Sequence, residues 1–168
     1  MTTTTSPVVV QAAGQGDLTR LCEMRNTPRL YAEYLDECDG HAAHFLVAEL
    51  DGQIAGFGVV YLAVTKSGKM KSHLPKLSDL YVGDAHRRRG VATALVRARE
   101  QLAKQAGYLE IFVSIDPVES SEMIALAKKL GYQPMQDKPY PVDATYYDAQ
   151  GGAYAKRYFR LDFAKRLG

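Results

Sequence analysis

The sequence predicts an α/β fold, and three observations predict it. Runs of β-branched and aromatic residues alternate with apolar spacings of three and four along nearly all of the 168 residues. Asp51-Gly52 separates two strand-like runs as a hairpin turn, so at least that pair is antiparallel. The strand ending at Val82 passes through a basic turn directly into a long amphipathic helix, a junction suited to holding an anion.

The length is one domain's worth at roughly 100 to 200 residues per domain. Residues 7–168 are expected to form that domain, behind a threonine-rich disordered tail, residues 1–6. Lys plus Arg number 21 and Asp plus Glu 19, a net charge of +2, too small for a dedicated nucleic-acid binder. Hydrophobic residues at 46% and charged residues at 24% are globular proportions, which argues against disorder. Cys22 and Cys38 are the only cysteines, too few for a disulfide framework or a four-thiolate metal site, and they suit a reducing cytoplasm. No run approaches the ~18 apolar residues that span a bilayer, and no basic stretch leads an apolar run at the start. Neither a membrane nor a secretory role is expected.

Residues 7–13 carry Val8, Val9 and Val10 and stop at Gly14, a short first strand. Asp17 is read as the cap of a helix from Leu18, its face marked by Leu21, Cys22 and Arg25, with Asn26-Thr27-Pro28 ending it. Residues 29–39 form a second helix, with Tyr31, Tyr34, Leu35 and Cys38 on one face and Glu33, Asp36, Glu37 and Asp39 between them. Residues 45–50 and 54–63 are the hairpin strands. Gly56 and Gly58 sit inside the second, which calls for a bulge or a close backbone approach. A basic loop with Lys66, Lys69, Lys71, His73 and Lys76 leads to a strand over 77–82.

The helix after that strand shows Val91, Ala94, Leu95, Ala98 and Leu102 as its apolar face, closed by Gly107. Residues 109–115 are almost continuous in strand formers. Asp116-Pro117-Val118-Glu119 reads as a cap, a first-turn proline and an acid, opening a helix that runs to Leu130 and ends at Gly131. Residues 134–153 read as a long connection holding Tyr140, Tyr146 and Tyr147, and residues 154–163 as a last strand with a basic polar face.

At the turn after Val82, the first helical N-H groups have no partner within the helix, and the helix dipole adds positive charge. Gly90 and Ala92 leave the backbone approachable, and Arg87, Arg88 and Arg89 add charge beside it. Arg87-x-x-Gly90-x-Ala92, preceded by Leu80-Tyr81-Val82, resembles the Gln/Arg-x-x-Gly-x-Gly/Ala motif of the GCN5-related N-acetyltransferases (GNAT). The order of elements resembles that family over residues 7–163. The resemblance implies a mixed, mostly antiparallel sheet of six to seven strands flanked by about four helices, and acetyl-CoA as acyl donor. It also implies the pyrophosphate on the amides of Arg88, Arg89, Gly90, Val91, Ala92 and Thr93, and the pantetheine along Leu80, Tyr81 and Val82. No metal is implied. A dinucleotide-binding Gly-x-Gly-x-x-Gly and a Walker Gly-Lys-Ser/Thr are both missing from the sequence.

Two departures from the family's pattern stand out. Its fourth helix commonly begins with Asn and carries, four residues before the closing Gly, a Tyr that protonates the leaving thiolate; these positions are Ser120 and Ala127 here. Ala127 has no proton to give, which leaves Tyr140, Tyr147 or solvent, tolerable for a thiol of pKa near ~8.5. Leu77-Ser78-Asp79-Leu80-Tyr81-Val82 resembles the Leu-Glu-Asp-Leu/Phe-Tyr/Phe-Val run of diamine and polyamine acetyltransferases, with Ser78 in place of their Glu.

The implied chemistry, transfer of an acetyl group to a primary amine by direct attack in a ternary complex, needs a neutral amine and no enzyme nucleophile. Asp79 is the expected base. The family's early helices wall the acceptor site, so Tyr31, Tyr34 and Glu37 are the expected acceptor-binding residues, with a solvated face as the alternative for Glu33, Asp36 and Glu37. The expected acceptor is a small-molecule amine such as a polyamine, an amino acid or an aminoglycoside. A protein amine is the alternative, as is a non-catalytic acyl-CoA-binding module. Related enzymes are often dimers, and the last strand offers an edge for a homodimer.

Overall fold

The computed structural model describes residues 7–62 and 74–168. Lys66, Lys69, Lys71 and His73 of the basic loop, and the tail over residues 1–6, lie outside the described residues. The described chain forms two compact units. One takes in residues up to Ile111 together with Leu167 and Gly168, the other Phe112–Arg166.

The first unit contains β1 (Val9–Ala12), α1 (Leu18–Met24), α2 (Pro28–Glu37), β2 (Ala43–Leu50), β3 (Gln53–Tyr61), β4 (Lys76–Val82) and α3 (Val91–Gln105). The strands lie in the order β1-β2-β3-β4, each antiparallel to the next. Alternate residues of β2 go to opposite faces. Phe45 and Val47 join Leu21, Tyr31, Tyr34, Phe57 and Val59 under α1 and α2, while Leu46, Ala48 and Leu50 join Val91 and Leu95 of α3. Both faces are thus covered, as the nearly unbroken apolar runs of β2 and β3 require. Each large side chain so buried contributes about 1.5–3 kcal/mol.

The second unit contains β5 (Glu110–Ile115, beginning at the boundary), α4 (Ser121–Lys129), β6 (Gln133–Pro134), β7 (Tyr140–Tyr147) and β8 (Ala153–Arg166). Here β8 lies between β5 and β6, and its first half pairs with β7. The α/β class expected from the sequence is the one observed, with four α-helices and eight strands among the described residues. No helix among the described residues is long and apolar enough to cross a membrane.

Four local expectations are corrected. The extra strand is β7, placed where the sequence suggested a connection: Tyr140, Val142 and Ala144 turn inward while Pro141, Asp143 and Thr145 face out. Pro141 disguises this alternation, yet among the described residues β7 pairs only with β8, and such an edge tolerates proline. Pro28 begins α2 at its first turn instead of ending α1, since its fixed φ suits that position. The Asp17 carboxylate accepts from the Gly14 N-H and from Arg20 and makes no cap bond to α1. Asp116 caps only a single turn, through the Val118 and Glu119 amides, and α4 starts at Ser121.

Gly56 and Gly58 both meet the condition their positions set. A Cβ on Gly56 would lie 2.5 Å from the Tyr81 carbonyl oxygen and 3.2 Å from Val91 Cγ1. Gly56→Ala should therefore destabilise the first unit by about 1–3 kcal/mol through overpacking, read as a lower urea midpoint at unchanged slope.

Candidate active site

Pairing between β3 and β4 runs regularly from Gly56↔Val82 to Gly58↔Leu80, then jumps to Val59↔Ser78. Asp79 is the residue left over. Its φ of 37° puts it in the left-handed region that non-glycine residues seldom enter, as a β-bulge can demand. Its Oδ2 accepts a hydrogen bond from the Tyr34 hydroxyl at 2.9 Å.

Tyr34 is 5% exposed, its ring packed against Phe45 and Phe57. Burial, with the Asp79 charge next, pushes its phenol far above the ordinary value, so it stays protonated and remains a donor. One turn on, Glu37 is 8% exposed and accepts from the Tyr61 hydroxyl at 3.3 Å. Burial and then the Glu37 charge push the Tyr61 phenol up as well. Two carboxylates and two proton-retaining phenols thus gather between α2 and the β3–β4 strands.

The acidic face of α2 is thereby divided. Glu33 and Asp36 are exposed, the former beside Arg29 at 3.7 Å, while Glu37 turns inward. Tyr31 is fully buried, and its hydroxyl donates to the carbonyls of Arg25 at 2.8 Å and Leu21 at 3.3 Å. Its place is in the packing that supports Tyr34. Tyr61 was not singled out in the sequence, where it reads as one more β-former in an apolar run.

At the other end of β4, Gly90 is the N-cap of α3 at φ 82°, with no side-chain cap bond and nothing within 4 Å of where a Cβ would stand. Arg88 is also left-handed, at φ 63°. Arg87 and Arg89 are exposed and make surface ion pairs, to Asp84 at 3.1 Å and to Asp51 at 3.2 Å. Such pairs hold little energy, and both guanidiniums can turn to a ligand. Val91 is buried, Ala92 and Thr93 half-buried. A cleft of about 400 Å³ adjoins this turn, lined among others by Arg20, Glu23, Met24, Ile54, Tyr81 and His86.

Arg99 is the feature that sequence reading passed over. It stands four residues after Leu95 and three before Leu102, on the apolar stripe of α3, and is 1% exposed. That spacing was the available signal: an arginine in a buried stripe must find acceptors inside.

In the second unit, Ser120 is half-buried at the N-cap of α4 and Ala127 is buried. The Tyr140 hydroxyl donates to Asp162 Oδ1 at 2.7 Å. Burial and the Asp162 bond raise its pKa, so its proton is held more tightly than a free phenol's. Asp162 also accepts from Ser114 and Gln136. Tyr147 is 61% exposed.

Residues 16–132 match the model of the acetyltransferase (GNAT) family. The chain belongs to this family. Within GNAT, it is 31% identical over 117 residues to N-acetyltransferase 8 of Homo sapiens, covering 70% of this chain and 48% of that protein. It is 30% identical over 128 residues to an N-alpha-acetyltransferase of Sulfurisphaera tokodaii, covering 69% and 71%. The chain thus spans about half the length of the human relative. Among solved structures, yncA of Salmonella typhimurium, determined with its cofactor acetyl-CoA, has the same GNAT fold, with a TM-score of 0.69 at 14% identity over 97% of this chain and 95% of that one.

Proposed function

We propose that this chain is an acetyl-CoA-dependent N-acetyltransferase that acetylates a primary amine of a small molecule by direct attack in a ternary complex. The observation that carries this reading is the Asp79–Tyr34 pair raised on the β4 bulge. It places a carboxylate with a fixed orientation on the same short strand that leads to the α3 turn.

The residues fit acetyl-CoA. The left-handed Gly90 cap leaves open space over the first amides of α3, where a pyrophosphate would accept from the amides of Arg88 to Thr93 with Arg87, Arg88 and Arg89 beside it. Leu80, Tyr81 and Val82 would offer backbone to the pantetheine. When bound, acetyl-CoA supplies an acyl group already activated as a thioester.

The chain's own residues position the acceptor and move its proton. Tyr34 holds Asp79 Oδ2, which leaves Oδ1 to take a proton from the acceptor ammonium and make the amine nucleophilic. Because the Tyr34 phenol keeps its proton, it orients the carboxylate without competing as a base. Glu37 adds a second negative charge to the same cluster, which favours a cationic acceptor. For the proton returned at the end of the reaction, solvent is the donor in this reading, which a leaving thiol of pKa near ~8.5 tolerates.

Tyr34→Phe keeps the ring packing and removes only the hydroxyl. It should lower kcat by roughly tenfold or more, the worth of a hydrogen bond to a charged group, with acetyl-CoA affinity unchanged in calorimetry.

A second reading, acetylation of a peptide or protein α-amine, is favoured by the similarity to the Sulfurisphaera N-alpha-acetyltransferase. Release of free CoA from acetyl-CoA, measured against polyamines, amino acids, aminoglycosides and short peptides beside a no-acceptor control, separates the two. Stimulation by small amines supports the first, and stimulation by peptides alone the second. Bound acetyl-CoA with no acceptor in the panel would overturn the small-molecule assignment.

A further inference from the structure

Resting on the transferase reading above, we propose that Arg99 is the positioning residue of this site: from the buried face of α3 its guanidinium holds the β4 bulge in place and so sets the direction of the Asp79 carboxylate. Arg99 Nη1 donates to the carbonyl oxygens of Val59 at 2.9 Å, Ser78 at 3.0 Å and Asp79 at 3.2 Å. Its Nε donates to the Leu95 carbonyl at 3.1 Å, one turn back in its own helix. The three strand carbonyls belong to both sides of the bulge, since Val59 and Ser78 face each other and Asp79 has no partner across the ladder.

A bulge disrupts the ladder locally, and a buried carbonyl without a donor is costly. A guanidinium meets that need as few groups can, because it carries five donors in a rigid plane and stays charged when buried. The space for it comes from Gly58. A Cβ there would lie 3.0 Å from both Cζ and Nε of Arg99. Three otherwise unrelated features therefore share one cause: a glycine within a strand, an aspartate at φ 37°, and an arginine on an apolar stripe.

The consequence for the reaction lies in where Asp79 points. Arg99 fixes its backbone carbonyl on the α3 side, and Tyr34 fixes its carboxylate on the α2 side. With only the second of these, β4 is free to take up a regular ladder with β3. A one-residue change of register sends side chains to the opposite face.

The test compares wild type with Arg99→Lys, which keeps a buried cation but loses the planar fork, with Arg99→Met, and with Gly58→Ala, which leaves Arg99 in place but crowds its guanidinium. Folding is followed by thermal unfolding, the bulge by amide exchange of Ser78 to Leu80 and by the Asp79 φ in crystals, and the reaction by kcat, KM and acetyl-CoA affinity. Arg99→Lys and Gly58→Ala should each fold, bind acetyl-CoA as wild type does, and lose about 100-fold in kcat, the scale of a misplacement of an ångström or so. In the Arg99→Met background, Gly58→Ala should add little, because the clash it creates is gone. Wild-type kcat in Arg99→Lys would overturn the proposal, as would a loss that follows only the folded fraction, or effects of Gly58→Ala that are the same in both backgrounds. If wild type binds no acetyl-CoA, the transferase reading falls, and exchange and register alone decide the role of Arg99. A bulge retained in Arg99→Lys and Gly58→Ala, with Asp79 still left-handed, would then refute it.

Discussion

Asp79→Asn should lower kcat by about 10²- to 10⁴-fold, the usual contribution of a positioned general base, while acetyl-CoA binding stays as in wild type. The substitution is nearly isosteric, and asparagine tolerates the left-handed backbone that φ 37° imposes. Its side-chain carbonyl can still accept from Tyr34, so the contact at 2.9 Å survives in kind. What is lost is the ability to take a proton from the acceptor ammonium. Raising the pH should restore part of the rate, because the acceptor then arrives neutral without help. Asp79→Asn with wild-type rates across the pH range would remove Asp79 as base and leave the bulge without a chemical purpose.

Gly90→Glu should abolish measurable acetyl-CoA binding, an affinity loss of at least about 100-fold, or about 2.7 kcal/mol. The space over Gly90 is open in the protein itself, so the new side chain meets no protein atom near its Cβ. The folded state bears only the cost of a non-glycine residue at φ 82°, about 1–2 kcal/mol. The glutamate carboxylate would stand among the amides that a pyrophosphate needs, and would repel it. Gly90→Asn is the matched control, since it has the same backbone demand without the charge; it should keep most of the affinity. Calorimetric titration of both variants distinguishes loss of the anion site from loss of the fold.

The parts of this site that follow a local rule were legible in the sequence. The α3 turn could be read because a strand end, a basic run, Gly90 and a helical periodicity are consecutive, and anion binding there depends on backbone amides more than on distant partners. Gly56 and Gly58 marked their strand as unusual, since glycine inside a strand calls for a reason. The two reasons themselves, the Tyr81 carbonyl and the Arg99 guanidinium, are tertiary contacts that nothing in the sequence beside either glycine announces. Glu37 is expected beside Tyr31 and Tyr34 at the acceptor site, yet nothing local separates it from Glu33 and Asp36, since all three lie among the apolar-face positions Tyr31, Tyr34, Leu35 and Cys38. Packing against β2 and β3 is what turns one inward and leaves the others in water. The strand β7 was hidden for the converse reason: Pro141 and a row of turn-forming residues outweighed a period-two pattern that only pairing with β8 makes plain.

On the proposed reading, the start of α3 holds the phosphates of acetyl-CoA and thereby brings its acyl end to Asp79. The most direct test is a titration of the ¹⁵N-labelled protein with acetyl-CoA, followed by amide chemical shifts. The largest changes are expected at the amides of Arg88 to Thr93, with smaller ones along Leu80 to Val82. Saturable binding that leaves Gly90, Val91 and Ala92 unmoved, or no binding at all, would contradict it.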